Sequence, residues 1–102
     1  MPVLLLEPKT YFQIRFPVPR RGFTRRGLID LKVESTLPVD TYIFDEAGRD
    51  NFASGQKFYH YGGFRQQEQH RQEIRLPFQG YFYLVINNPN NQPAAVYYDV
   101  TG

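Results

Sequence analysis

From Leu28 to Glu34 the chain reads LIDLKVE, with Ile29, Leu31 and Val33 alternating with the charged Asp30, Lys32 and Glu34. A period of two is what a β-strand needs to bury one face and wet the other, and it does not suit a helix, whose apolar positions recur every three to four residues. The stretch YFYLVIN repeats the alternation with Phe82, Leu84 and Ile86 against Tyr81, Tyr83 and Val85. Both of its faces are apolar or aromatic, which predicts a strand at the centre of a sheet. Similar runs, separated by Pro and Gly, predict strands near Val3–Leu6, Tyr11–Phe16, Leu28–Glu34, Thr41–Asp45, Phe58–Tyr61, Glu68–Leu76, Tyr81–Asn87 and Val96–Val100.

Strands this closely spaced pair antiparallel, because parallel pairing requires long crossovers for which the chain has no room. The expectation is one all-β domain over residues 1–102, an antiparallel β-sandwich of jelly-roll type with about eight strands. Composition agrees: 17% of the residues are Phe or Tyr, which favour pleated, half-buried surfaces. Two segments break the pattern. FDEAGRDNFASG carries turn formers and has space for a helical turn or two over Gly48–Ser54, with Phe52 as its apolar anchor. NNPNNQP, at Asn87–Pro93, reads as a turn or loop.

Val39–Gln56, VDTYIFDEAGRDNFASGQ, resembles the signature of small β-sandwiches such as the pre-peptidase C-terminal and GOLD-like domains. FYHYGGF, followed by RLPFQGYFYLVINN, resembles more closely a bacterial family of stand-alone small sandwiches of unknown function, some of whose members are fused to TIR signalling domains. The resemblance covers Val39 to Asn88. It implies an architecture and no catalytic residues, because its motifs form folds rather than sites. The N-terminal LLLEPKTYFQIRFPVPRRGFTRRG departs from that family as a lengthened hairpin.

That hairpin carries the most concentrated charge in the chain. RRGFTRRG places Arg20, Arg21, Arg25 and Arg26 around Phe23; the net charge is +2, so everything outside these four arginines sums to −2. A nucleic-acid binder spreads its basic residues over a face or groove, so nucleic acid is the weaker reading of so local a cluster. Arginine pairs bidentately with carboxylates and phosphates, and Phe23 is placed to stack or insert. The expected function is a non-enzymatic binding module that contacts a protein or anionic partner through Arg20, Arg21, Phe23, Arg25 and Arg26. The bland reading is a hairpin tip kept soluble by charge.

A second candidate surface is aromatic: Tyr59, Tyr61, Tyr81, Tyr83 and Tyr97. Alternation turns some of them outward, either as cross-strand pairs that stabilise the sheet or as a stacking platform for a carbohydrate. A calcium-dependent, lectin-like module is the remaining alternative, drawing on Asp40, Asp45, Glu46, Asp50 and Asp99. Asp in such turns more often caps its own backbone, and no EF-hand spacing is present.

No cofactor and no metal are expected. The chain lacks cysteine, and its two histidines, His60 and His70, fit no compact zinc motif. Ser35 and Ser54 lie in no nucleophile elbow, and YGGF lacks the lysine of a phosphate loop. Paired glycosidase carboxylates need a cleft about 5–10 Å wide, which a domain this small has little room to build. No run approaches the roughly 20 apolar residues of a membrane helix, and the start lacks the features of a secretory signal, so the expected location is the cytoplasm. Edge strands in so small a sheet leave a homodimer open.

Overall fold

The computed structural model describes residues 3–18, 28–76 and 80–101. In chain order these form β1 (Val3–Leu6), β2 (Tyr11–Val18), β3 (Leu28–Phe44), α1 (Glu46–Ala53), β4 (Gly62–Arg75), β5 (Gly80–Asn87) and β6 (Ala94–Thr101). All the strand pairs are antiparallel, in the order β1-β6-β3-β5-β2, with β4 pairing β3 alongside that path. The sheet curls into a half-barrel.

The curl comes from β3. Its first half, Asp30–Ser35, pairs with β6, and its last residues, Asp40–Phe44, pair with β5. The change of partner falls at the bulges between Glu34 and Thr41, where the register with β4 also shifts. Pro38 sits there because a proline cannot donate to a ladder and is tolerated at a bulge. The all-β expectation therefore holds, while the count becomes six strands among the described residues. Leu28–Glu34 and Thr41–Asp45 are two halves of one bent 17-residue strand. Phe58–Tyr61 is not a strand; it is a lead-in joined to β3 by the bond from Tyr61 N–H to the Ile43 carbonyl (2.7 Å).

Inside the curl, Ile29, Leu31 and Val33 of β3 meet Phe82, Leu84 and Ile86 of β5 and Val96 of β6, all buried. A second cluster lies on the outer face of the sheet. There α1 lays Phe52, with Phe58 beside it, over Tyr42, Phe44, Tyr83 and Val85. Two-sided burial explains why β5 is apolar on both faces. An isolated helix of eight residues is marginal in water, so α1 depends on this packing and on its cap, in which Asp45 Oδ1 accepts the Gly48 N–H at 2.9 Å. Gly48 permits the close approach: a Cβ there would stand 2.7 Å from Phe44 Cβ and 2.8 Å from the Tyr59 carbonyl oxygen. The helix starts two residues before the expected Gly48–Ser54 segment, with Phe52 as the anchor foreseen.

The loop after β5 is fastened by Asn88, which is fully buried. Its amide faces the carbonyls of Leu6 (3.1 Å), Glu7 (3.3 Å) and Gln92 (2.9 Å), while its Oδ1 accepts the N–H of Asn90 at 3.0 Å. One side chain thus ties the end of β1 to the β5–β6 connection. No helix among the described residues is long and apolar enough to cross a membrane.

Candidate functional site

The outer face of the β2–β5 ladder carries a cation, aromatic rings and a groove. Arg15 of β2 lies opposite Tyr83 of β5, and Pro17 lies opposite Tyr81. From this register the Arg15 side chain reaches diagonally, setting its guanidinium 4.3 Å from the centre of the Tyr81 ring. Tyr81 is 57% exposed and Tyr83 is buried. Arg49, on α1, lies over Tyr83 at 5.0 Å and pairs with Asp50 through Nη2 at 3.0 Å. Its Nε is buried with no hydrogen-bond partner among the described residues, so stacking on Tyr83 is the interaction that offsets its desolvation.

A shallow groove runs between these elements, lined by Arg15, Asp45, Glu46, Ala47, Tyr81 and Tyr83. Asp45 is already engaged: Oδ1 caps α1, and Oδ2 accepts the Tyr61 hydroxyl at 3.1 Å. Glu46, in the first turn of α1, is exposed. The groove therefore offers one stacked cation, one exposed aromatic ring and one exposed carboxylate. That arrangement suits recognition of charged and planar groups and includes no paired nucleophile and base.

Burial, then the hydrogen bond to Asp45, raises the Tyr61 phenol above its ordinary value of 10.0. Because the native state favours the neutral phenol, this contribution to stability is present below the unfolded value and is lost as pH rises through the native one. Asp45→Asn keeps a capping side chain but removes the carboxylate. We expect it to move the Tyr61 titration down towards the ordinary value, read by ¹³C NMR of the tyrosine ring. An unmoved titration would mean that Asp45 has no part in the shift.

The five tyrosines do not share one surface. Tyr81 and Tyr83 belong to the groove, whereas Tyr59 and Tyr61 pack edge-to-face at 5.0 Å, with Tyr59 69% exposed. Tyr97 lies on β6 between Val3 and Glu34, with Lys32 Nζ 5.8 Å from its ring. Arg20, Arg21, Phe23, Arg25 and Arg26 lie outside the described residues. The sequence reading missed Arg15 and Arg49. Arg15 was within reach, since Tyr11, Gln13 and Arg15 form the polar set of β2, but Arg49 depends on how α1 packs.

The remaining polar candidates have local partners. Asp40 accepts the N–H of Gln66 at 2.9 Å and the Asn87 amide at 3.3 Å. His60 packs on Tyr42 and Phe58, and the His70 ring lies 4.0 Å from that of Phe64. Among the described residues no group of three or more His, Cys, Asp or Glu is arranged to hold a metal ion. The chain matches no family model and has no significant match among curated proteins.

Proposed function

We propose that the chain is a non-enzymatic binding module for a protein or other anionic partner, with the arginines at 20–26 as its primary contact and the Arg15–Tyr81 pair as its continuation. The observation that carries this reading is the Arg15 guanidinium stacked on an exposed tyrosine near the end of β2, from which the arginine-rich segment departs. An arginine held over a ring keeps outer N–H groups free for a carboxylate or phosphate. We also read the curl as a two-layer packing of jelly-roll type, in which β2 faces β6 through Phe12 and Tyr98, their ring centroids 5.3 Å apart.

The test is fluorescence anisotropy with labelled polyglutamate at low and high salt, comparing wild type with a variant carrying Arg→Ala at positions 20, 21, 25 and 26. Wild type should bind at low salt and release as salt rises. The variant should lose about tenfold or more in affinity, each lost charge-assisted contact contributing of order 1 kcal/mol. Equal binding by the two proteins would refute the reading. The second reading, a carbohydrate-binding module, is favoured by the exposed rings of Tyr59 and Tyr81; its binding would ignore salt and fail in Tyr81→Ala. Its calcium-dependent, lectin-like form is disfavoured by the hydrogen bonds that Asp40 and Asp45 already accept.

A further inference from the structure

Strand β2 ends the sheet path and, among the described residues, pairs with β5 alone. Which of its backbone groups face the open side follows from one bond. The N–H of Asn88 donates to the Thr10 carbonyl at 2.9 Å, which makes Thr10 and Asn88 a hydrogen-bonded pair in the register that sets Tyr11 opposite Asn87. In an antiparallel ladder such pairs alternate, so Phe12, Ile14 and Phe16 spend their N–H and C=O groups on β5. Tyr11, Gln13 and Arg15 must point theirs at the free edge. Pro17 falls in the same outward set, where its missing N–H costs the ladder nothing.

The side chains beside this edge are equally asymmetric. Phe12 and Phe16 pack against the core, but Ile14, in the same inward set and opposite the fully buried Leu84, remains 37% exposed. The outward set of β2 supplies Arg15 and no carboxylate. The other edges are less suited to pairing. β1 has only four residues. β4 is lined with charged side chains and is irregular, with Gln66 at φ 55° and register shifts against β3.

We propose that the free edge of β2 receives an extended segment of a partner protein as an added strand, its residues alternating apolar and acidic. The apolar residues stand beside Ile14 on the inner side. The acidic ones stand beside Arg15 on the outer side, where the cation calls for a negative neighbour. The N–H and C=O groups of Tyr11, Gln13 and Arg15 provide the main-chain bonds. This names the partner chemistry of the module proposed above and rests on that reading; the occupant is a foreign strand, not a second copy of this chain.

The probe is a short labelled peptide alternating valine and glutamate, with a Val/Lys counterpart and a Val/Glu analogue N-methylated at alternate residues on its pairing edge. Wild type should bind the Val/Glu peptide and ignore the Val/Lys one. N-methylation should weaken binding by about tenfold or more, as expected when strand hydrogen bonds are lost. Gln13→Pro, which removes an outward N–H and leaves the β5 ladder intact, should weaken it comparably. Because the N-methylated peptide leaves the protein unaltered, the test does not depend on how that variant folds.

Loss on N-methylation with full binding by the quadruple Arg→Ala variant would support strand addition while refuting the arginine reading. Loss in the quadruple variant with undiminished binding of the N-methylated peptide would overturn strand addition and leave the arginine reading standing. Absence of Val/Glu binding, or a concentration-dependent dimer of the protein alone that Gln13→Pro dissolves, would also overturn it.

Discussion

Gly63→Ala is expected to lose about 3–5 kcal/mol of folding stability, a large part of what a domain of this size possesses. Gly63, the second residue of β4, has φ 135°, a conformation that L residues rarely adopt, and it lies opposite Tyr42. A Cβ there would collide with the carbonyl oxygen of Thr41. The obstacle is backbone in the strand that both halves of the sheet share, so no side chain can rotate away to relieve it. Gly55→Ala is the control: Gly55 is also at positive φ, 76°, but has open space around it. It should cost only about 1–2 kcal/mol, the backbone part of the penalty. Thermal melts of the two variants check this, with a drop of about 15–30 °C expected for Gly63→Ala. A drop of similar size in both would mean that the close contact with Thr41 contributes nothing.

The second large effect is at Asn88. Asn88→Asp preserves the shape but replaces an amide donor with a carboxylate facing the carbonyls of Leu6, Glu7 and Gln92. Three acceptors around a buried charge should cost about 3–5 kcal/mol at neutral pH. Burial and these carbonyls raise the carboxyl's pKa in the folded state. The penalty is therefore fully present above that raised value and shrinks as pH falls and the acid becomes a donor again. Denaturant titrations of wild type and variant at neutral and acidic pH test the sign. A deficit that does not change with pH would show that the amide's donors are not what holds the loop.

The positions of these two residues also mark where the sequence was readable. The alternation in LIDLKVE and YFYLVIN was sufficient to place the first part of β3 and all but the first residue of β5, and to predict that β5 lies inside the sheet, between β3 and β2, since strand period is a local property. The continuity of β3 past Pro38 was not legible. A proline in STLPVD reads as a break unless one knows that the strand changes partners there. FYHY was misread for a related reason: Phe58 and His60 are spent on the outer cluster and Tyr61 on the inner one rather than on a ladder. Asn88 was legible as part of a loop but not as a buried fastener, because its partners come from residues about 80 positions away along the chain.

The candidate surface divides in the same way. RRGFTRRG stands out in the sequence by charge alone. The stacking of Arg15 on Tyr81 requires the β2–β5 register, which no local pattern specifies. The two proposals share Arg15 and differ in what else carries them: the first adds its stacking on Tyr81, the second the direction of backbone groups along an edge.

The most direct measurement of the central claim, that this end of the β2–β5 ladder is a binding surface for an acidic partner, is a chemical-shift map. ¹⁵N-labelled protein would be titrated with the alternating valine and glutamate peptide at low salt. We expect saturable shifts at Gln13, Ile14, Arg15, Tyr81 and the arginines at 20–26, with Val3, Lys32 and Tyr97 unchanged. Shifts confined to the Tyr97 side of the sheet, or none at any position, would contradict it.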